Sequence, residues 1–483
     1  MILRRLIFIL LLSIGFSGMA GAQEVLYSPY ESFDLRSGDF SVVGRVGERL
    51  YTYRSASDGY YLDSYNDKME KLATVVLDFF PRRIYETKFV AYSDRILILY
   101  QSIESNKVVQ HAALLDDMGR LVKRPITLNS VKAGIFGPNR EYFSSAVSDN
   151  KEHIVIYGID DRGKKLSINA AWIDDSMNVV SKTTATFNAD NSVTYGEGMV
   201  NNEGTFFVSA YTPVGAKSFA DQIWLLSINK GERKFTVNEL PLNNKYAAGT
   251  NMQIDRNNSR IYVAGFYSEK KNGNYEGVLY TYYDMSTRTF ENRKDIPLSE
   301  EIRNASGERS KKRAFNDYLV RDIVVKNDGG FVMMAEDYFV MTRSTFAPGF
   351  GYYSWYYPGM GGANIREYHY GDILSMSFDG SGQMEWYSFI RKDQYSQEDG
   401  GIFSSYKMVN TGGALGFMFN DFNTNKSRIH LASLDHEGKV NMEQLAPGRS
   451  DDWMPRSSKQ VAAREIIVPC MRRRQICFAK VIF

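Results

Sequence analysis

A turn signature that recurs about every fifty-five residues constrains this chain more than any other feature. Short runs rich in Asn, Asp and Gly, of the kind that close a tight turn, begin at residues 66, 116, 174, 229, 284, 379 and 435. Their successive spacings are 50, 58, 55, 55, 95 and 56 residues. Units of this length that contain several short strands are typical of β-propeller blades. We therefore predict an all-β repeat protein in which one unit carries about forty extra residues.

The stretch Ser404–Pro447 is the clearest copy of the repeated unit. It contains four short runs separated by turn residues, and these are Ser404–Val409, Leu415–Phe419, Arg428–Leu434 and Val440–Leu445. The second run of most units is almost wholly apolar, which predicts a strand that is buried on both faces. The 32 Tyr and 29 Phe residues also suit pleated, half-buried strands.

An incomplete unit at the end of the chain predicts how the repeat closes. Gln460–Ala463, Glu465–Pro469 and Gln475–Phe483 supply three strands, and the fourth is missing. Val25–Phe33 precedes the first unit without a partner, so pairing it with the last unit would remove two open edges. We predict a single β-propeller domain over residues 23–483, with eight four-stranded blades closed by the N-terminal strand. Seven blades are the alternative.

The first 22 residues are predicted to be a signal peptide that lies outside the fold. Arg4 and Arg5 precede the apolar run Leu6–Phe16, and the small residues Ala20–Ala22 form a cleavage site before Gln23. Eleven apolar residues are too few to span a bilayer as a helix, and no later run is long enough. We expect an exported, soluble protein with no transmembrane segment; a retained signal anchor is the alternative.

Composition and motifs speak against several functional classes. Lys and Arg number 58 and Asp and Glu 56, so a net charge of +2 gives no reason to expect nucleic acid as a partner. The five histidines show no metal-ligand spacing, and the sequence has no nucleophile elbow, phosphate-binding glycine loop or Cys-x-x-Cys motif. We predict no metal site, no cofactor and no catalytic residues.

The predicted first strands carry polar residues that would line a central channel. The channel candidates are Glu197, Asn251, Gln253, Arg321, Asp322, Ser405 and Lys407. Converging polar groups can bind a sugar or place paired carboxylates for acid–base chemistry. A water-filled channel with solvated walls is the alternative, and no residue spacing here marks an acid and a base.

The long unit contains an aromatic insertion at residues 346–370. Its binding candidates are Phe350, Tyr352, Tyr353, Trp355, Tyr356 and Tyr357, interspersed with Gly and Pro. Aromatic rings with few neighbouring charges suit contact with a protein partner or with a sugar. The alternative is a loop that buries these rings against its own blade.

Cys470 and Cys477, the only two cysteines, are candidates for a disulfide. A two-residue turn at Arg473-Arg474 would place them directly opposite each other on adjacent strands. Facing residues of an antiparallel pair lie within the Cα separation that a disulfide needs. Two reduced thiols that pack as small hydrophobic side chains are the alternative.

The last third of the chain resembles a group of exported Bacteroidota propeller-like proteins. The resemblance depends on the stretches RDIVVKNDGGFVMMAE and YGDILSMSFDGSGQMEWYSFIRKDQ between Leu319 and Asn423. Its matching residues are Gly329, Gly330, Glu336, Trp386, Lys392, Gln394 and Asn420. No activity is attached to these residues in that group, so the resemblance implies fold and location only.

These patterns predict a non-enzymatic binding or scaffolding component of the bacterial cell envelope. It would be periplasmic or associated with the outer membrane, and it would engage a protein partner through the aromatic insertion. The alternative is a carbohydrate-binding or carbohydrate-active propeller whose site lies at the central channel. Carboxylates about 5–10 Å apart in that channel would favour an enzyme.

Overall fold

The computed structural model describes residues 24–132, 142–255, 257, 259–344, 364–421 and 428–483, which lie mainly in strands. Two short strands come first, β1 (Glu24–Tyr27) and β2 (Glu31–Ser32). Three four-stranded antiparallel meanders follow. The first contains β3 (Phe40–Val46), β4 (Arg49–Ala56), β5 (Gly59–Tyr65) and β6 (Lys71–Val76). The second contains β7 (Ile84–Ala91), β8 (Arg95–Glu104), β9 (Lys107–Asp116) and β10 (Leu121–Lys132). The third contains β11 (Ser144–Val147), β12 (Ile154–Arg162), β13 (Lys165–Ile173) and β14 (Val179–Asn188).

The fourth and fifth meanders belong to one sheet, because β17 and β19 pair at Ala220 and Ala247. The fourth contains β15 (Thr194–Val200), β16 (Phe206–Val214), β17 (Phe219–Ile228) and β18 (Thr236–Glu239). The fifth contains β19 (Tyr246–Asp255), β20 (Arg260–Ser268), β21 (Gly277–Asp284) and β22 (Thr289–Pro297). A short helix, α1 (Glu300–Ala305), follows and is capped by the Ser299 side chain.

The sixth meander is larger than the others. It contains β23 (Tyr318–Val325), β24 (Phe331–Ser344), β25 (Asn364–Phe378) and β26 (Met384–Ile390), and β27 (Gln394–Gln397) also pairs with β25. The seventh contains β28 (Tyr406–Asn410), β29 (Leu415–Asp421), β30 (Arg428–Leu434) and β31 (Val440–Leu445). The C-terminal sheet contains β32 (Asp452–Trp453), β33 (Lys459–Ala462), β34 (Glu465–Arg472) and β35 (Gln475–Ile482), with a 3-10 turn at Pro455–Ser457.

The recurring turn signature has a clear physical cause. In the seventh meander, the Asp435 carboxylate accepts the backbone N–H groups of Glu437 and Lys439, and Gly438 takes a left-handed φ of 84°. Asp116, Asp174 and Asp379 accept two backbone N–H groups in the same way. The predicted all-β class and the repeated four-stranded antiparallel sheets are confirmed.

The core lies between neighbouring sheets. The predicted second strands are buried along their apolar runs, as at Ile96–Tyr100 and Phe331–Ala335. One apolar cluster contains residues of the first and second meanders, such as Tyr53 and Ile98. Another joins the first meander to the C-terminal sheet and includes Tyr65 and Phe478. Both faces of these strands are therefore covered, which explains their lack of polar alternation.

The N-terminal strands pair with the last strand of the chain. β1 pairs antiparallel with β35, and β2 pairs with the beginning of β35 at Ile476 and Gln475. The predicted continuous strand Val25–Phe33 is divided around Pro29, where Ser28 remains bonded to Phe478 through its N–H and its hydroxyl. The C-terminal sheet thus takes strands from both ends of the described chain.

Candidate functional site

The first strands of neighbouring meanders lie beside one another. Contacts join β3 to β7 and β33, β11 to β15, and β19 to β23. Several of these strands contain a β-bulge, in which an extra residue stands opposite one residue of the partner strand. Glu197 lies in the bulge of β15, and Arg321 in the bulge of β23. Two of the predicted channel residues are therefore displaced from their ladders, and both line the cavity described next.

A cavity of about 710 Å³ is lined by residues of the second to the sixth meander. Of the channel candidates, Glu197, Asn251, Gln253 and Arg321 line it. The other Asp, Glu, Lys and Arg residues of its lining are Lys88, Asp149, Glu203 and Asp255, which were not predicted from the sequence. Carboxylates therefore outnumber cations on its wall, and a ligand there would meet a polar and net acidic surface.

The channel candidates differ in how far their polar atoms are already bonded. Asn251 donates its side-chain N–H to the carbonyl of Arg321 at 2.9 Å, across the boundary between two meanders. Gln253 is exposed and donates to the carbonyl of Ile254 at 3.2 Å. Glu197 is exposed at the cavity wall. Asn251 thus connects the fifth meander to the sixth, whereas Glu197 faces the cavity.

The other three channel candidates do not line the cavity. Asp322 accepts a hydrogen bond from the Tyr406 hydroxyl at 2.7 Å, which connects the sixth and seventh meanders. Burial and the Asp322 carboxylate raise the pKa of Tyr406 well above its usual value. Ser405 is buried in the network described below, and Lys407 is half-buried in β28.

Lysines of several first strands or adjoining turns donate to carbonyls of a neighbouring unit. Lys459 Nζ lies 2.8 Å from the Val43 carbonyl oxygen, and Lys88 Nζ lies 2.6 Å from that of Ser145. Burial, together with the charges of nearby Lys151, Lys407 and Lys88, lowers the pKa of Lys459 to about 8. These two lysines of first strands therefore connect neighbouring units.

A buried ionic network lies at the base of the long hairpin formed by β24 and β25. Glu336 is fully buried, and Lys392 Nζ lies 2.7 Å from its Oε1 atom. Arg321 Nε lies 3.1 Å from Oε2 of the same carboxylate, and the Ser405 hydroxyl donates to Oε2 at 2.8 Å. Three donors from three segments thus surround one carboxylate, as a buried charge requires.

The network continues through the residues that carry the sequence resemblance. Gln394 Oε1 accepts from Lys392 Nζ at 3.2 Å and from the Ser405 N–H at 2.8 Å. Gln394 Nε2 donates to the Asn420 carbonyl at 2.7 Å, and Asn420 Nδ2 donates to the carbonyl of Trp453 at 2.8 Å. Glu336, Lys392, Gln394 and Asn420 therefore form one structural unit that joins the sixth and seventh meanders to the C-terminal sheet.

Asp337 lies next to this network and was not predicted from the sequence. Burial, together with the carboxylates of Asp317, Glu308 and Asp372, raises its pKa to about 7. Gly371 makes room for it, because a Cβ atom there would lie 2.5 Å from Asp337 Oδ2. An acidic group that titrates near neutral pH therefore lies at the base of the hairpin.

Most of the predicted aromatic insertion lies in the sequence between the two strands of this hairpin, and the described residues stop at Ser344 and resume at Asn364. All six binding candidates, Phe350, Tyr352, Tyr353, Trp355, Tyr356 and Tyr357, lie outside the described residues. Asn364–Tyr370, the last part of the predicted insertion, belongs to β25. Tyr370 is buried there, lies 4.7 Å from the Tyr338 ring and accepts a hydrogen bond from Arg456 at 2.9 Å. The described C-terminal part of the predicted insertion is thus part of a packed strand of the hairpin.

The cysteines occupy the predicted register, and the two-residue turn at Arg473-Arg474 is confirmed. Cys470 faces Cys477 across β34 and β35, and both are buried free thiols in this structure. Burial raises the pKa of Cys470 well above its usual value. The disulfide stays a prediction, since the register allows it.

Two further observations concern membranes and metals. Among the described residues, no helix combines the length and the apolar character that crossing a bilayer requires. Within the same ranges, no group of three or more His, Cys, Asp or Glu side chains is arranged to hold a metal ion.

No protein-family model matches the sequence, and no curated protein matches it. Among solved structures, the chain is similar to prolyl oligopeptidase B from Galerina marginata, with 11% identity, a TM-score of 0.41 and coverage of 90% of this chain and 55% of that one. It is also similar to the C-terminal WD40 domain of Sif2, with 9% identity, a TM-score of 0.44 and coverage of 96% and 99%. A third similar structure is dihydro-heme d1 dehydrogenase NirN, with 13% identity, a TM-score of 0.38 and coverage of 94% of this chain and 74% of that one. The chain spans about half the length of the prolyl oligopeptidase.

Proposed function

We propose that the meanders and the C-terminal sheet are the eight blades of a β-propeller closed by the N-terminal strands. Two observations support this arrangement. β1 and β2 extend the C-terminal sheet beyond β35, and an apolar cluster joins that sheet to the first meander. Both ends of the chain then contribute to one blade, which leaves no open edge between the first and last units.

Deletion of Gln23–Asp34 tests this closure. The deletion would uncover the edge of β35 and part of the cluster that contains Phe33, so we expect aggregation or a melting midpoint lowered by many degrees. Ser28→Ala is a graded control, because it removes only the hydroxyl that accepts the Phe478 N–H. A deletion variant that melts within about one degree of the wild type would contradict the closure, since 1 kcal/mol shifts a 150–250-residue domain by ~2–4 °C.

The function that we propose is that of an exported, non-enzymatic binding or scaffolding component of the cell envelope, which engages a protein partner through the aromatic insertion. One observation carries it. β24 and β25 continue as a paired hairpin well past the ends of β23 and β26, and the chain enters and leaves the predicted insertion from this hairpin. A recognition segment that is held on a rigid base loses less conformational entropy on binding. The resemblance to exported Bacteroidota proteins agrees with a periplasmic or outer-membrane-associated location.

Substitution of Tyr353, Trp355 and Tyr356 by Ala tests this function. Affinity capture with the tagged mature protein from envelope extracts should retain a partner that the triple variant loses, because aromatic anchors dominate binding energies. The melting midpoint should not change, since a surface loop tolerates substitution. Tyr85→Ala, at an exposed tyrosine of β7, is the matched control. Capture that is equal for wild type and triple variant would refute the proposal, and unfolding would place these rings in the core.

The second candidate function is carbohydrate binding or carbohydrate-directed catalysis at the inner cavity. The 710 Å³ cavity and its amide and carboxylate groups favour it, since a cavity of this size accommodates a small oligosaccharide. A glycan array with wild type and Glu197→Gln distinguishes this function from protein binding. Sugar binding that the substitution abolishes would support the cavity, and binding that it leaves unchanged would place the sugar elsewhere.

A further inference from the structure

Within the described part of the chain, the outer part of the long hairpin has an edge that no strand pairs with. β23 pairs with β24 only as far as Tyr318, which faces Asp337. β24 then continues from Tyr338 to Ser344 while it is paired with β25 on its other side. None of the described strands lies against this outer edge. An unpaired edge presents a row of backbone donors and acceptors that a further strand can use.

The register shows which backbone groups point outward. The Tyr338 N–H donates to the carbonyl of Asp317 at 2.9 Å, on the side away from β25. Backbone N–H and C=O groups alternate sides along an antiparallel strand. Val340 and Thr342 therefore direct their N–H and C=O groups outward, in line with Tyr338. Val340 and Thr342 are successive outward-facing positions, of the kind to which a sheet adds its next strand.

This edge also lacks the features that protect other edges of the molecule. Between Tyr338 and Thr342 there is no charge and no proline, and Val340 and Met341 are 42% and 48% exposed. In contrast, the edge strand β10 carries Lys123, Arg124 and Pro125. Charged side chains and proline on an edge strand prevent pairing with other chains. Their absence from one projecting strand leaves it open to strand addition.

The edge is held in place before any partner arrives. β27 pairs with β25 on the opposite side of the hairpin, from Glu367 to Tyr370. The Phe339 ring stacks on His369 at 4.4 Å, and His369 contacts the Tyr395 ring at 5.0 Å. The strand to be extended is thus the margin of a three-stranded sheet, so binding does not need to order it first.

We propose that the β24 edge at Tyr338–Thr342 binds an extended segment of a partner polypeptide as an added β-strand. Alternating N–H and C=O groups select a polypeptide backbone, and the apolar side chains select apolar residues at alternate positions of the added strand. Five residues bury far less than the ~1,200 Å² of a stable interface, which favours a partner segment over a dimer formed through this edge. The inference rests on the proposed protein-binding function and specifies its mode.

A synthetic peptide tests this proposal without knowledge of the natural partner. The probe is a fluorescein-labelled octapeptide of alternating Thr and Val, and its binding is followed by fluorescence anisotropy. Wild type and Thr342→Ala should bind it, because both retain the outward N–H. Thr342→Pro should bind at least tenfold more weakly, since proline removes that N–H. The same peptide with N-methyl groups on alternate residues should also lose at least tenfold, and this arm needs no protein variant.

Hydrogen exchange supplies the second measurement. The Val340 and Thr342 amides should exchange rapidly in the free protein and slow down at least tenfold with the peptide. No binding by wild type, or equal binding by Thr342→Pro, would overturn the proposal. Slow exchange in the free protein would do the same, because it would mean that the edge is already covered. Protection that rises with protein concentration would identify a second copy as the occupant and would also overturn it.

The outcome is separable from that of the proposed function. If envelope capture fails for the triple aromatic variant but persists for Thr342→Pro, the aromatic insertion binds a partner without strand addition, and only the edge proposal fails. If capture is unchanged in the triple variant and lost in Thr342→Pro, the edge binds the partner and the aromatic insertion does not.

Discussion

Glu197 lies on β15, the first strand of the fourth meander, and Glu336 lies on β24, the second strand of the sixth meander. These two carboxylates differ in burial and in the number of protein atoms bonded to them. Glu197 lies in the bulge of β15 at the wall of the 710 Å³ cavity and is exposed. Glu336 is fully buried and is held by Lys392, Arg321 and Ser405. The difference teaches that a polar residue on a repeated strand does not by itself mark a ligand site. Burial and the number of partner atoms decide which carboxylate has bonding capacity left for a ligand.

The two regions also differ in what the surrounding structure requires. At the hairpin base, a charge removed from water must be matched by donors, or the folded state loses several kcal/mol. At the cavity wall, the Glu197 carboxylate is exposed to solvent, so its substitution costs little stability. Substitutions should therefore affect stability strongly at the base and weakly at the wall.

Removal of the central cation should have the largest effect. Lys392→Met leaves Glu336 buried with a charge that is no longer fully compensated, and we expect a loss of about 3–5 kcal/mol in the free energy of unfolding. Chemical denaturation measures this loss. The double variant Lys392→Met, Glu336→Leu removes both charges and should recover part of it. A loss below about 1 kcal/mol in Lys392→Met would mean that the base is as solvated as the cavity wall.

The second prediction concerns pH. The pKa of Asp337 is about 7 in the folded protein, above the usual 3.8, so the folded state binds a proton more tightly than the unfolded chain. The contribution of this group to stability is therefore highest below about pH 4 and falls as pH rises to about 7. Asp337→Asn should be more stable than wild type at pH 8, by about 1–2 kcal/mol after allowance for its partial exposure, and closer to it at pH 4.

Denaturation of both proteins at several pH values checks this difference, because groups common to both cancel. The carboxylates of Asp317, Glu308 and Asp372 and the ammonium group of Lys392 face Asp337 and are retained in the variant. A stability difference that does not depend on pH would show that Asp337 is solvated like the cavity carboxylates.

A smaller loss of stability is expected for Asn251, which lines the cavity and also connects two meanders. Asn251→Ala removes the hydrogen bond to the Arg321 carbonyl and should lower the free energy of unfolding by about 1 kcal/mol. Gln253→Ala, two residues along the same strand, is the matched control, because its bond is to the adjacent Ile254. Equal losses of unfolding free energy in the two variants would mean that the Asn251 bond between meanders stabilises the fold no more than the local bond of Gln253.

The smallest effect should be at the cavity wall itself. Glu197→Gln changes an exposed carboxylate and should alter the free energy of unfolding by less than about 0.5 kcal/mol. Thermal melting of wild type and variant is sufficient to detect a larger change. A loss of more than about 1 kcal/mol would reveal a structural role for Glu197 and weaken its candidacy as a ligand-binding group.

Local chemistry made much of the fold predictable from the sequence. Each Asp-led turn is built from one carboxylate and a left-handed residue a few positions later, so its signature survives in a single sequence. The apolar second strands are also predictable from the sequence, because burial on both faces excludes polar residues along the run. The register of Cys470 and Cys477 followed from the two-residue turn at Arg473-Arg474, which is also local.

The site was less accessible to such reasoning, because its contacts connect distant parts of the chain. Lys392 and Glu336 are separated by 56 positions, and Ser405 donates to the same carboxylate from a further meander. The sequence resemblance singled out Glu336, Lys392, Gln394 and Asn420 but assigned no role to them. Their burial and their mutual hydrogen bonds, which only the structure shows, make them one network. Asp337 gave no signal at all, since its raised pKa comes from burial and from carboxylates brought close by folding.

The sequence by itself determined the elements of this protein: strands, turns, repeat length and the pairing preference of its two ends. Only the tertiary structure decided which polar side chains face the cavity, which connect neighbouring sheets, and which edge has no partner among the described strands. The physical reason is that turns and burial patterns depend on neighbours within a few residues, whereas desolvation and ion pairing depend on groups that meet only when the sheets pack together.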